Sequence, residues 1–217
     1  MAVAENYTTN KRKKIMTYMS GLIVRATNVD SLLADMDSFG REAFQGAGAS
    51  NMWITQNVYA GDGAGEIGIS TDWSSIDAAV TAPDDLRARP EFVDAMQNAG
   101  IQTLRRSLVQ IRAERGELNG KFGSLIVSAG AQQDQETIDA NADAIWTHMQ
   151  NGSSGLRWTQ AIAAGPLTGM YITISTSDSL DDLMAASNQM FADPDIQGRM
   201  AAMGFQLIQR SLFRRLG

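Results

Sequence analysis

The chain has 217 residues, 44% hydrophobic and 19% charged, with a formal net charge of −6. That is the balance of a folded globular chain, long enough for one large or two small domains whose core needs no staples. With no cysteine and a single histidine, disulfides, thiolate metal sites, cysteine nucleophiles and two-histidine metal centres are excluded.

Lys11-Arg12-Lys13-Lys14 precedes an apolar stretch from Ile15 to Val24. The order imitates a signal peptide, but Thr17, Ser20 and Arg25 interrupt it and no small-residue cleavage site follows. Residues 1–19 are read as a basic, mobile tail and the chain as cytoplasmic. No run approaches the roughly 18 apolar residues of a membrane span, so no membrane partner is expected. Beyond residue 14 acidic side chains outnumber basic ones, which repels phosphate backbones, so no nucleic-acid partner is expected.

Leu22–Thr27 is a short apolar run that predicts a strand. Leu32, Met36, Phe39 and Ala43 then share one face of a helix. Trp53–Tyr59 and Glu66–Asp72 predict two strands joined by Ala60-Gly61-Asp62-Gly63-Ala64-Gly65, whose glycines supply hairpin φ angles. That run is no dinucleotide fingerprint, because Glu66 stands where a third glycine is needed and a strand follows. Ser74 or Ser75 caps a second helix, which Pro90 breaks and restarts and Gly100 ends. Ile101–Val109 gives a fourth strand.

The same order then recurs. Residues 86–109 align with 190–213 without a gap at an offset of 104, with identities that include Pro90/Pro194, Gly100/Gly204, Gln102/Gln206 and Arg106/Arg210. Upstream, the match continues with one-residue slips at Leu22/Leu125, Trp53/Trp158 and Ile69/Ile174. Ser124–Ala129, a helix presenting Ile138, Ala142, Ile145 and Met149, then Trp158–Ala163, Met170–Thr176 and Phe205–Phe213 repeat the first set. The chain therefore divides into a tail (1–19), repeat one (20–112), a linker (113–122) and repeat two (123–217). Each repeat is β-α-β-β-α-β, the ferredoxin-like unit, and the class is α+β. Such a sheet carries both helices on one side and leaves the other bare. The two antiparallel sheets are expected to pack face to face within the chain as an intramolecular pseudo-dimeric barrel, with further homo-oligomerisation open. RNA recognition modules share the order, but Glu66-Ile67-Gly68-Ile69 and Met170-Tyr171-Ile172-Thr173 lack their aromatic signature.

The duplicated order, the strand exit Ser70-Thr71-Asp72-Trp73-Ser74-Ser75 and the segments Ala88-Arg89-Pro90-Glu91-Phe92 and Ala192-Asp193-Pro194-Asp195-Ile196 resemble the dimeric α+β barrel superfamily over about residues 20–215. That superfamily includes antibiotic-biosynthesis and haem-degrading monooxygenases, chlorite-dismutase-like haem proteins and stress-responsive proteins without assigned chemistry. The resemblance implies a flat, partly aromatic ligand between helices and sheet, oriented in the cofactor-independent monooxygenases by Trp, Asn, Tyr and Arg side chains. Trp53, Asn57, Tyr59 and Arg25 supply those types in repeat one; Trp158, Gln160, Tyr171 and His148 supply a looser set in repeat two.

The candidate catalytic residues are His148, Trp158 and Asn57, and the candidate ligand-binding residues are Trp53, Tyr59, Arg25, Gln160 and Tyr171. No cofactor and no metal are assigned. His148 is the only imidazole, a candidate general base, or else a helix-border residue with one nitrogen in water. Haem-using relatives carry their histidine later in the unit, so haem is not expected. A tryptophan in both repeats is equally what a core anchor looks like. Arg106 and Arg210 on strand 4 each need a carboxylate across the barrel or an anionic ligand. The first functional reading is a barrel binding a small, partly aromatic molecule in a helix/sheet pocket, as a cofactor-independent monooxygenase. The second is a non-catalytic scaffold or stress-type binding and assembly module. Catalysis predicts a helix/sheet cavity of at least ~300 Å³; a filled space favours the scaffold.

Overall fold

A computed structural model describes residues 17–217. The basic cluster Lys11–Lys14 lies outside the described residues, and Thr17 to Met19, expected as the end of a tail, are already strand. The first half comprises β1 (Thr17–Arg25), a helix in three segments (α1, Val29–Asp35; a π turn, Met36–Gly40; α2, Arg41–Gly46), β2 (Asn51–Tyr59), β3 (Ile67–Trp73), α3 (Ile76–Arg87), α4 (Pro90–Asn98) and β4 (Gln102–Gly116). The second comprises β5 (Phe122–Ala129), α5 (Gln135–Met149), β6 (Gly155–Ala163), β7 (Tyr171–Ser177), α6 (Leu180–Ala192), α7 (Pro194–Ala202) and β8 (Gln206–Arg215).

The eight strands close one antiparallel barrel in the order β1-β3-β2-β8-β5-β7-β6-β4. The halves join edge to edge at two seams. β4 meets β6 from Leu108 opposite Ala163 to Gly116 opposite Gly155, and β2 meets β8 from Thr55 opposite Arg215 to Tyr59 opposite Leu212. The expected α+β class holds: two β-α-β-β-α-β units face their sheets across a common lumen, with the helices outside. β4 runs past its expected end at Val109 because its far part pairs with β6. Residues 113–116 of the expected linker are therefore strand, and the tie between the halves is 117–121. Strand direction alternates round the ring, so β1 and β5 run the same way. A half-turn about the barrel axis relates the halves, and both β-hairpins open at one end.

The register between the halves corrects the sequence reading. Adding 104 carries both ends of β2 onto β6 and both ends of β3 onto β7. The bulge between Ile23 and Val24 likewise recurs between Val127 and Ser128. The slips at Leu22/Leu125, Trp53/Trp158 and Ile69/Ile174 do not exist. Because side chains alternate between the two faces of a strand, one residue of slip exchanges inside for outside. Trp53 thus corresponds to Arg157 and points into the lumen, whereas Trp158 packs against the helices. Trp53 and Arg157 stack across the lumen, the guanidinium carbon 4.4 Å from the ring centroid.

The outer layers differ. In the first half Phe39 and Phe44 meet Phe92 edge to face at 5.1 and 6.0 Å, and Trp73 lies 6.5 Å from Phe44. The π turn rotates the helix so that Phe44, rather than the expected Ala43, takes the buried place after Leu32 and Met36. The second half has Ile196 where the first has Phe92, and Ser177 where it has Trp73. Its outer core rests on Met149, Leu183, Met190 and Ile196 instead.

Candidate functional site

Between α5, α6, α7 and the second-half sheet lies a cavity of about 50 Å³ lined by Met149, Met190, Met200 and Met203 together with Trp158 and Arg210. Ile196, which lines it, stands where the first half has Phe92, while Trp158, Phe191 and Phe205 line it where the first half has Ile54, Arg87 and Ile101. The helix/sheet cavity of at least ~300 Å³ expected for catalysis is not formed: at about 50 Å³ the space is close to filled, the outcome that favours the scaffold reading unless its lining can move aside. Methionine lining makes the boundary adaptable, since each side chain turns about three bonds without losing its apolar contacts.

One buried donor in this cavity has no partner, and a half-buried guanidinium beside it has hydroxyl partners only. The Nε1–H of Trp158, a residue 4% exposed, meets no acceptor among the described residues. Arg210 donates from Nε to Ser124 Oγ at 3.0 Å and from Nη2 to Ser187 Oγ at 2.8 Å, and no described carboxylate pairs with it. Burial lowers its pKa from the ordinary arginine value. In the first half the counterpart, Arg106, donates to Asp84 on α3 at 3.0 Å. Asp84 also pairs with Arg87, and these bonds, Arg87 first, hold its carboxyl below the usual range. At the position 104 residues on, α6 carries Asn188. The carboxylate expected across the barrel for Arg106 is thus on the adjoining helix, and Arg210 has no such partner among the described residues.

A second cavity, of about 720 Å³, occupies the barrel lumen. Trp53, Asn57 and Arg25 line it, so three of the sequence candidates meet there. The lumen's mouth at the hairpin end holds Glu66, 4% exposed, which accepts from Arg105 Nη2 at 2.5 Å and lies 3.8 Å from Arg25 Nη2. At the opposite end Arg157, 3% exposed, clasps both oxygens of Asp72 at 2.8 and 2.7 Å and donates from Nε to Glu114 at 2.8 Å. Burial raises the Asp72 carboxyl above its ordinary pKa, the Arg157 bonds offsetting only part.

The other candidates disperse. Tyr59 is exposed at the end of β2, beyond a register shift at Asn57. Tyr171 is buried, edge to face with Trp158 at 5.8 Å, its hydroxyl accepting from Gln133 N and donating to Ala131 O. Gln160, on the outer face, accepts from Arg112 and donates to Gln132. His148 sits in the last turn of α5 with Nε2 3.6 Å from Asp193 Oδ2, and lines none of these cavities. The structure therefore puts Trp53, Asn57 and Arg25 on the lumen face and Trp158, Tyr171 and Gln160 on the outer face, with His148 on a helix and Tyr59 in solvent. The methionine lining and the Asp84/Asn188 difference escaped the sequence reading, although the latter is visible once 104 is carried through α6.

No family model matches the sequence, and no curated protein does. Among solved structures, one provisionally named as a chlorite dismutase superposes with TM-score 0.58 at 10% identity, covering 93% of this chain and 95% of its own. A monooxygenase, so named provisionally, from Fusobacterium nucleatum superposes with TM-score 0.57 at 7% identity, covering 94% of each chain. A haem-binding protein from Thermus thermophilus gives 0.59 at 9%, covering 93% of this chain and 92% of its own. The fold is the dimeric α+β barrel. Here a single chain closes it. Haem, which the Thermus thermophilus protein is named for binding, does not fit the residues present: the single histidine faces Asp193 outside both cavities, and the helix/sheet space of about 50 Å³ does not approach a porphyrin. Among the described residues no His/Cys/Asp/Glu group could hold a metal ion, and no helix is long and apolar enough to cross a membrane.

Proposed function

We propose that this barrel binds a compact, mostly apolar, partly aromatic molecule carrying an oxygen anion, in the methionine-lined space of its second half. The observation that carries the reading is the pair of underused donors in one cavity, the buried Trp158 Nε1–H and the Arg210 guanidinium without a carboxylate. A buried donor left unpaired costs about 1–3 kcal/mol, which an acceptor on the ligand would recover. The methionines would turn aside to admit the ring, and the anion would lie between indole and guanidinium. The two halves are read as copies of one ancestral unit, on the register of 104 and the identities along it, with only the second copy keeping the site.

A cofactor-independent monooxygenase is the reaction such a site would serve. There the electrons that reduce dioxygen come from the substrate's own anion, and a methylene oxidised to a carbonyl with water as the other product balances one dioxygen. Trp158 and Arg210 would stabilise that anion. The cavity lining includes no carboxylate or imidazole, so the substrate would enter already ionised, as a phenolate or enolate.

The test uses 4-nitrophenol, which is yellow only as its anion. A guanidinium beside the oxygen favours the charged form, so the bound phenol should ionise at lower pH than the free one, read as absorbance on titration. Arg210→Gln should abolish the shift and Trp158→Phe should weaken binding about tenfold, the value of one charge-assisted hydrogen bond. A shift that survives both substitutions would remove the proposal. Dioxygen uptake with the molecule that co-purifies from the source, identified by native mass spectrometry, then separates the oxygenase from a pure binding protein.

A further inference from the structure

The register of 104 exposes an asymmetry in the lumen that is independent of the helix/sheet pocket. A half-turn about the barrel axis exchanges Gly68 with Ile172, Ser70 with Ile174, and Gly21 with Leu125. It also exchanges Arg25 with Ala129, Glu66 with Met170, and Arg105 with Gln209. Two walls of identical backbone geometry thus differ in chemistry. On β3 and β1 the first-half wall has Gly68, Ser70 and Gly21 where the second-half wall has Ile172, Ile174 and Leu125; Ser107 and Ser211 are alike, Thr176 and Gln209 keep the second-half wall partly polar, and Ile23 and Trp53 give the first-half wall apolar surface. The volume of about 720 Å³ follows from the missing bulk on the first-half side, and it lies within the ~300–1,000 Å³ range of small-molecule sites. Close packing normally leaves no such space in a core.

The end away from the hairpins supplies a charge. Arg215 on β8 lines the lumen, donates to the Leu118 carbonyl at 3.3 Å, and pairs with no carboxylate among the described residues. The donors Thr55, Asn57, Ser70 and Ser107 lie along the first-half wall between that arginine and the Arg25–Glu66–Arg105 mouth. We infer that the lumen is a second ligand site, for an elongated amphiphile with hydroxyl or carbonyl groups along one edge, an apolar opposite edge and an anionic end seated at Arg215. The polar edge would lie on Ser70 and Ser107, the apolar edge on Ile172 and Ile174.

Cholate, with hydroxyls on one face and a terminal carboxylate, is the probe; laurate, with the carboxylate but no polar edge, is the comparator. Isothermal titration calorimetry on the full chain, below the micellar concentration, should show one cholate per chain bound at least about tenfold tighter than laurate, a difference of one decade in affinity. Ser70→Ile gives the first-half wall its second-half counterpart and should weaken cholate binding at least about tenfold by filling the site. Ser107→Leu, at a position where both halves carry serine, adds bulk from β4 and serves if the first variant melts early. Arg215→Gln should weaken cholate and laurate alike. Cholate binding no tighter than laurate, or unchanged in a folded Ser70→Ile or Ser107→Leu protein, overturns the inference. Loss of binding in Arg210→Gln instead would move the probe to the helix/sheet space and overturn it too, leaving the proposal for that space standing.

Discussion

At the scale of single residues, the account turns on an arginine beside an amide where its counterpart has an acid. Arg106 and Arg210 stand at equivalent places on β4 and β8, yet only the first has an acid beside it, Asp84. Asn188 occupies the matching position on α6. Restoring the acid should therefore switch the second half to the state of the first. Asn188→Asp is expected to draw Arg210 into an ion pair and weaken 4-nitrophenolate binding at least about tenfold, since an opposite charge on the guanidinium competes with the ligand anion. Absorbance titration of the variant checks it; unchanged affinity would show that Arg210 is not what the anion meets. The sequence made both arginines visible and posed the right alternative, a carboxylate or an anionic ligand. It did not show which arginine took which, because that depends on which residue of the packed helix lies beside each strand, legible only when the offset of 104 is carried from Asp84 to Asn188.

At the scale of elements, strand order and hairpins were legible because their signals are local. Glycines at the β2–β3 and β6–β7 turns adopt the positive φ a hairpin needs, Gly61 at 56° and Gly165 at 58°. Ser75 caps α3 as expected and Ser179 caps α6 in the same way, each accepting a backbone N–H of its first turn. What failed was a single residue of register. Matching Trp53 to Trp158 followed a conspicuous side chain where the backbone follows a fixed spacing, and it moved Trp53 to the wrong face. The π turn escaped for a related reason: a 3.6-residue period run from Leu32 lands on Ala43, and only the inserted turn brings Phe44 inward. Strand β5 carries its own constraint. A Cβ on Gly123 would collide with the Phe213 ring and come within 2.6 Å of the Ser175 carbonyl. Gly123→Ala should cost roughly 1–3 kcal/mol, as overpacking of a tight core does, read as a lower midpoint in urea denaturation. A midpoint equal to the parent's would mean that β5 and β8 separate more easily than their pairing implies.

At the scale of the whole molecule, one chain closes what two edges alone leave open. Its seams are backbone ladders, and Arg157 of the second half adds a buried clasp on Asp72 of the first while stacking on Trp53. The barrel was foreseeable from two bare sheet faces on one tether. The cavities were not, because they depend on side-chain volumes at matching positions: Ile196 where the first half has Phe92 outside the sheet, and Gly68, Ser70 and Gly21 inside the first-half wall. Both consequences lie on opposite faces of the same barrel, which makes their separation measurable. The chain holds four tryptophans, of which Trp158 lines the helix/sheet cavity and Trp53 the lumen. Nitrogen-15 NMR of the indole N–H groups during titration with 4-nitrophenolate tests the central claim most directly. The resonance that disappears in Trp158→Phe should move downfield as its hydrogen bond forms, while that of Trp53 stays in place. Movement of Trp53 alone, or of none of them at saturation, would contradict the placement of the working site between the second-half helices and their sheet.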